Sequence, residues 1–542
     1  MCGIAVVYTA TEPQDADEAT VARMSVRLRH RGPDGIARRR VGRSWLGHTR
    51  LAIVDVAEGA QPLHDHTAQR WLVCNGEIYN HVELRRKLAE RPGTHSDNEA
   101  ALHLIAEHGP AGLSQLQGMF ALCYADTAGA FVAARDLLGI KPLYWARDGV
   151  RVVFASELGA FDPARRGAVE TFPPGHYWTP EGGLVRFSAL PAPTEEYISR
   201  AGARSAIRAT LQRAVRRRMM ADVGVGVYLS GGLDSSIVAA IMARTVQDTG
   251  AGPVHSFAAG TADSPDLAAA RIVADHLGLV HHERVYTADD VLTVLPTVVA
   301  SVESYEPSLV HSAVPNYLLS ELAGEYVKVV LTGEGADELF AGYHRLRAIP
   351  DAGALRAELV RSIEGLHDLN LQRCDRVSMA HGVEARVPFL DLDVIEVAQR
   401  VPIEWKLPGE VGQEKRLLRE AFEGWLPDAI LWRVKAVRRR QRYVGGDGRT
   451  RRATGTREGL AQRHPGLPAT AQPRRTRLPA NVPPGSGRSS AGAGARSSAK
   501  RVAGTGWRLR SSAPALGRRL GARRRHTRWP PGGARRPRRR SA

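Results

Sequence analysis

The sequence predicts an α/β protein in two folded parts, an antiparallel strand-rich sandwich followed by a doubly wound parallel sheet, with a disordered basic tail. Three observations carry this. Residues 2–190 read as short β-segments with few helices. From residue 200 apolar strands alternate with helices, the rhythm of a parallel sheet covered on both faces. After residue 435 the chain turns to Arg, Gly, Pro, Ala and Ser, without Ile, Phe, Met or Cys, a composition that buries no core.

In the first part, GIAVVYT, WLVCN, GMFALCYAD, AFVAARD and RVVFASE are the strand candidates, bounded by Gly, Asp or Pro. HVELRRKLAE and SDNEAALHLIAEHG have helical spacing, with Ser96 or Asp97 placed to cap the second. SALPAPTEEYISR reads as the linker. In the second part a helix over ARSAIRATLQRAVRRRMM leads to strand VGVYL, helix SSIVAAIMARTV and strand VHSFAAG. Helix DLAAARIVADHLG, strand HHERVY, helix ADDVLTVLPTVVASV, helix VPNYLLSELAGE and strand VKVVLTG follow, then helices to about residue 432. No internal repeat is present.

A length of 542 residues exceeds what one core supports. The net charge of +19 is unevenly spread. Of 75 Lys+Arg, 29 lie in 436–542 beside only 2 acidic residues, so the body holds 46 basic against 54 acidic groups. No apolar run reaches the ~20 residues of a membrane span, and no signal pattern opens the chain. The expected location is cytoplasmic. Four scattered cysteines, Cys2, Cys74, Cys123 and Cys374, form neither a disulfide framework nor a zinc pair.

Two stretches carry chemistry. Between strand VGVYL and the next helix stands Ser230-Gly231-Gly232-Leu233-Asp234-Ser235-Ser236. Glycines let backbone close round a ligand, and the helix start offers free N–H groups and a positive dipole end to a phosphate. Asp234 repels phosphate directly and so points to Mg²⁺. No Walker lysine is present. A second loop, Thr332-Gly333-Glu334-Gly335-Ala336-Asp337-Glu338, follows strand VKVVL. It therefore falls at the carboxyl end of a parallel strand, where open α/β sheets bind ligands, and Asp337 could share the metal with Asp234. At the other end of the chain, removal of Met1 leaves Cys2 with a free amine beside its thiol, an amine able to act as base.

The string SGGLDSS resembles the pyrophosphatase-type loop of ATP-dependent adenylating enzymes. MCGI, RHRGPDG, GHTRLAIVD, CNGEIYNH, SDNEA, ARDLLGIKPLYW and FASE together resemble the glutaminase domain of class II glutamine amidotransferases. With GEGADELFAGYHR and MAHGVEARVPFLD, the chain from Cys2 to about Lys435 is similar to glutamine-hydrolysing asparagine synthetases. The resemblance implies an N-terminal nucleophile (αββα) sandwich at 2–190 and an ATP-pyrophosphatase-type domain at 200–435. It implies that Cys2 attacks glutamine, with Asn75 and Gly76 as oxyanion hole. Arg50, Leu51, Ala52, Ile53, Val54, Asn75, Gly76, Glu77 and Asp97 would form the glutamine pocket. Leu229, Ser230, Gly231, Gly232, Asp234, Ser235, Ser236, Ala259, Thr332 and Gly333 would bind ATP, Asp234 and Asp337 Mg²⁺. Glu334 and Lys435 would act at the acyl-adenylate, and Arg386 is either an aspartate-pocket residue or a structural ion pair.

The implied substrates are glutamine, aspartate and ATP, joined by an enclosed ammonia path, with AMP, pyrophosphate and glutamate as by-products and a homodimer as a compatible assembly. Alternatives are an amide-forming relative acting on another carboxylate, and a glutaminase remnant with a nucleic-acid-binding tail. Only three aromatic residues in the tail, Tyr443, Trp507 and Trp529, argue against the last. Past Lys435 the family's Gln-Phe-Ser-Asp-Gly-Val-Gly loop is replaced by Arg-rich sequence. Permitted codons for Val437–Tyr443, read one base later, encode Phe-Gly-Asp-Gly-Ser-Gly, so the tail reads as out of frame, leaving the synthetase half without the family's closing segment.

Overall fold

The strand Gly3–Thr9 is buried on both faces, and its position explains the first half of the molecule. It lies inside an antiparallel sheet of six strands in the order Glu170–Thr171, Tyr144–Asp148, Arg151–Ala155, Gly3–Thr9, Ser44–Arg50 and Gly35–Val41. A second sheet runs Gly183–Arg186, His176–Thr179, Phe131–Arg135, Gly118–Asp126, Arg70–Ile78 and Leu63–His64. Ile4, Val6 and Leu46 of the first sheet meet Val73, Ala121, Cys123 and Trp178 of the second in one core. The alternate residues Ala5 and Val7 pack under helix Asp15–Arg27 through Val21 and Met24. On the far side, helix Asp97–His108 covers Leu72, Cys74 and Leu122. The layers are therefore α, β, β, α, the central strands Gly3–Thr9, Arg70–Ile78 and Gly118–Asp126 burying both of their faces.

The computed structural model describes residues 2–191, 195–250, 252–407 and 413–434. Lys435 and the tail 436–542, with the expectations of disorder and of an out-of-frame origin, lie outside the described residues. Among the described residues no helix is long and apolar enough to cross a membrane.

The second half holds a five-stranded parallel sheet in the order Val280–Val285, His255–Gly260, Val225–Tyr228, Val329–Leu331 and Glu384–Arg386. Helices Arg200–Arg218, Leu233–Thr249 and Pro265–Leu277 contribute to the core on one face. Helices Pro307–Gly324 and Asn370–Met379 pack Ala323 and Cys374 against Phe257, Val330 and Ala385 on the other. From Val225–Tyr228 the chain winds outward to one edge, then returns to Val329–Leu331 on the opposite side. The point of reversal lies between these two neighbouring strands, where doubly wound sheets open a crevice at the strand ends. Most expected strands and helices are present with small shifts at their ends, but the helix expected from Val314 already begins at Pro307. HVELRRKLAE is shorter than expected, helical only over His81–Arg85. The region expected to be wholly helical to residue 432 contains the fifth strand, Glu384–Arg386, three residues too few to show a period.

The two halves share one buried apolar cluster. Leu51, Ile53, Tyr79, Met119, Leu138 and Ile140 from the sandwich belong to the same cluster as Val227, Leu229, Leu331 and Leu390. The segment read as a linker is anchored where described: Tyr197 N–H donates to the Arg400 carbonyl at 3.0 Å.

Candidate active sites

Cys2 stands immediately before the first strand and is buried. Its backbone N–H donates to Asn75 Oδ1 at 3.1 Å, and its Sγ lies 4.0 Å from the Leu51 carbonyl. Asn75 sits in the middle of strand Arg70–Ile78, which belongs to the opposite sheet. Stacking of the two sheets thus brings residues 73 positions apart into contact. The Asn75 Nδ2 is buried and has no acceptor among the described residues. Burial raises the Cys2 thiol above its ordinary pKa, and the positive amino terminus opposes that rise.

Asp97 is the first residue of its helix, and its carboxylate does not cap it: Oδ2 accepts the Ile78 N–H at 2.6 Å. Ser96 makes no side-chain cap either. Burial pushes Asp97 up to about 6. Arg50 ends strand Ser44–Arg50 and is half-buried, its guanidinium donating to the carbonyls of Asp55 at 2.6 Å and Val56 at 3.0 Å. Leu51, Ala52 and Ile53 are buried and Val54 partly so, with the Ala52 N–H fixed on Asp34 at 2.7 Å. Gly76 and Glu77 follow Asn75 in the strand, opposite Phe120 and Met119. Glu77 lies 3.3 Å from Arg386 of the other half. Burial, with the carboxylates of Glu384 and Asp97, raises Glu77 well above the usual range.

The second site forms at the reversal point of the parallel sheet. Leu229 is buried at the end of its strand, its N–H on the Phe257 carbonyl at 2.8 Å. Gly231 has φ +64°, and a Cβ there would stand 2.6 Å from Ala270 N, so the turn requires glycine. Ser230 Oγ and Ser235 Oγ are 3.0 Å apart, and Ser236 Oγ donates to the Gly232 carbonyl at 2.7 Å. Gly232 caps helix Leu233–Thr249 without a side chain, leaving its first amides to a ligand.

The acidic loop closes on this turn. A Cβ on Gly333 would stand 2.8 Å from Asp234 Cβ, so only glycine allows the two loops to approach this closely. Thr332 is buried, its N–H donating to the Arg386 carbonyl at 2.9 Å. Ala259 lies half-buried on the neighbouring strand His255–Gly260. Glu334 pairs with Arg373. Arg433 donates to the Gly231 carbonyl at 3.1 Å and pairs with Asp266 at 2.7 Å.

Asp234 and Asp337, 103 residues apart in sequence, meet on one cation. Lys415 Nζ is 2.6 Å from Asp234 Oδ2 and 2.6 Å from Asp337 Oδ1, and the lysine is 3% exposed. Sequence pattern does not single out Lys415, because one lysine before an amphipathic stretch is an ordinary surface residue. The two carboxylates converge on a position that already holds a positive group. Hard oxygen donors at such a point fit Mg²⁺, which is usually held by one or two carboxylates plus substrate phosphates. Among the described residues there is no cluster of three or more His, Cys, Asp or Glu suited to a metal.

The sequence profile described as "Glutamine amidotransferase domain" matches residues 1–174. That described as "Asparagine synthase" matches 206–351 and 347–440. The chain is 40% identical over 473 residues to the "Probable asparagine synthetase [glutamine-hydrolyzing]" of Schizosaccharomyces pombe, covering 80% of this chain and 84% of that protein. It is also 40% identical over 452 residues to "Asparagine synthetase [glutamine-hydrolyzing] 3" of Arabidopsis thaliana, covering 80% and 78%. Among solved structures, the glutamine phosphoribosylpyrophosphate amidotransferase of B. subtilis aligns with a TM-score of 0.29 and 20% identity, over 46% of this chain and 64% of that one. With both profiles matched in order and 40% identity across four-fifths of its length, the chain belongs to the family of glutamine-hydrolysing asparagine synthetases.

Proposed function

We propose that the chain makes asparagine from aspartate, using ATP and ammonia released from glutamine, with 2–190 as the glutaminase domain and 200–435 as the synthetase domain. The observation that carries this reading is the pairing of a buried Cys2–Asn75 contact with a separate, convergent Asp234–Asp337 pair in one chain.

In the first half, Arg50 and Asp97 hold the α-carboxylate and α-ammonium of glutamine, in a pocket walled by Leu51, Ala52, Ile53, Val54 and Glu77. The Cys2 amine takes the thiol proton, and the thiolate attacks the side-chain amide carbon. The Asn75 Nδ2 and the Gly76 N–H stabilise the resulting oxyanion, a contribution typically worth about 10²–10³ in rate. Collapse breaks the carbon–nitrogen bond, ammonia leaves, and water cleaves the γ-glutamyl thioester to glutamate.

In the second half, the helix start at Ser230, Gly231, Gly232, Ser235 and Ser236 receives the pyrophosphate portion of ATP, with Leu229, Ala259, Thr332 and Gly333 around the nucleotide. Asp234 and Asp337 would hold Mg²⁺, whose chemistry is to neutralise phosphate charge. Lys415, now tied to both carboxylates, stands where it can turn to the same phosphates. The aspartate β-carboxylate attacks the α-phosphorus, giving β-aspartyl-AMP and pyrophosphate, with Glu334 and Lys435 as the residues proposed to act on the adenylate. Ammonia then displaces AMP. Ammonia would have to cross between the halves shielded from water, since water would protonate it.

Separate assays of glutamate, AMP and asparagine test this. Glutamine-dependent asparagine formation in step with AMP is the expected result. Glutamine hydrolysis undiminished by Cys2→Ala would overturn it.

A further inference from the structure

Arg31 is fully buried, and its guanidinium joins one backbone carbonyl and two carboxylates. Its Nε donates to the Cys2 carbonyl at 3.1 Å. Its Nη1 lies 2.6 Å from Glu157 Oε1. Asp375 engages two of its nitrogens, with Oδ2 2.9 Å from Nη1 and Oδ1 3.2 Å from Nη2. Cys2 and Glu157 belong to the sandwich. Asp375 belongs to helix Asn370–Met379, which packs on the parallel sheet and carries Arg373, the partner of Glu334, two residues earlier.

A guanidinium is a rigid planar fork, so a carboxylate that engages it through two nitrogens fixes its plane. Fixing that plane fixes the direction of Nε–H, and Nε–H holds the carbonyl of the residue that bears the thiol. Glu157 touches a single nitrogen and cannot set the plane by itself. Arg50 and Asp97, at the glutamine end of the site, have no contact with Asp375 in the hydrogen-bond and ion-pair network.

We infer that Asp375, from the synthetase half, is a positioning residue for glutamine hydrolysis: it sets Arg31, and through Arg31 the backbone of Cys2. The inference rests on the reading of Cys2 as nucleophile. Its consequence is specific. A slackened Cys2 backbone spoils the approach of sulfur to the amide carbon, where small displacements are costly, and leaves the groups that bind glutamine in place. The loss therefore falls on kcat and spares KM.

The test is steady-state glutaminase kinetics on the full chain. Asp375→Asn keeps the side-chain shape and removes the two-point carboxylate grip; kcat should fall about tenfold with KM within about twofold. Arg31→Lys should lower kcat similarly, and the double variant should be within about twofold of Arg31→Lys alone, because both act through one contact. Unchanged kcat, a parallel rise in KM, or additive losses would each overturn the inference. Should Asp375→Asn not fold, Asp375→Glu decides: a smaller loss confined to kcat supports it, wild-type kcat overturns it. Cys2→Ala run alongside keeps the two questions apart, since activity in that variant would sink the assignment of the nucleophile, whatever Asp375 does.

Discussion

The ammonium of Lys415 lies 2.6 Å from the carboxylate of Asp234, and it makes the same approach to Asp337. Burial opposes a charged lysine, but the two carboxylates outweigh it and raise the Lys415 pKa, so the group stays cationic. Replacing it with methionine removes the cation that Asp234 and Asp337 share and, on the proposed reading, takes a positive group from the phosphate end of the crevice. Lys415→Met should lower ATP-dependent AMP release at least about 100-fold, the order seen when a charge-stabilising donor is removed. Glutamine hydrolysis should stay within about twofold, since the ion-pair partners of Lys415, Asp234 and Asp337, both belong to the parallel-sheet half. Chromatographic AMP and enzymatic glutamate, measured on the same sample, check both arms.

The buried carboxyl of Asp97, pushed up to about 6 by desolvation, predicts a pH limb for glutamine binding. On the proposed reading Asp97 holds the glutamine α-ammonium, and only its ionised form attracts it. As pH falls through about 6 the group takes up a proton and the attraction is lost, so kcat/KM for glutamine should drop about tenfold per pH unit below that point. The limb should be absent in Asp97→Asn, whose kcat/KM should be low and flat at every pH. A profile in which Asp97→Asn keeps the acid limb would assign it to another group.

Motif strings made much of the candidate chemistry legible, because a loop that closes on phosphate needs glycine and small hydroxyls in fixed order. Ser230 to Ser236 and Thr332 to Glu338 are such strings. What joined them was not legible. Lys415 is one lysine among 75 basic residues, and only the fold brings it between Asp234 and Asp337. The strand Glu384–Arg386 is too short to show a two-residue period, yet its place at the sheet edge puts Arg386 against Glu77. Asp97 looked like a helix cap and is instead spent on the Ile78 amide. Local pattern reports local structure; contacts between residues hundreds of positions apart report the packing of the two halves.

Lys406 ends the short helix Ile403–Lys406 and is 4% exposed. Burial, with Arg356 nearby, lowers it to about 7. Between that value and the ordinary lysine pKa the folded chain binds fewer protons than the unfolded one, so stability rises with pH across this window. From pH 7 to 9 the gain from this group is about 2 kcal/mol. Lys406→Met should remove that slope and raise the urea midpoint at pH 7. An unchanged slope in the variant would place the titration elsewhere.

Arg386 is fully buried, with Nε 2.5 Å from Glu384 and Nη1 on the carbonyls of Arg218 at 2.7 Å and Met220 at 2.6 Å. The two acids it faces are in different states. Burial works against ionisation of Glu384, but the amino-terminal charge, Arg386 and Lys141 outweigh it and hold the group well below the usual range. Glu77 is raised and stays protonated more readily. Arg386→Met therefore takes one of the cations away from the buried anion Glu384 and should cost up to about 3–5 kcal/mol. Glu77, able to remain neutral, adds little to that cost. It follows that Arg386→Met combined with Glu384→Gln should be more stable than Arg386→Met alone, since the anion goes with its partner, whereas adding Glu77→Gln should recover almost nothing. Urea denaturation of the single and the two double variants separates these outcomes. Equal recovery from both would mean that the two carboxylates share the charge, and the assignment of Glu384 as the ionised member would fall.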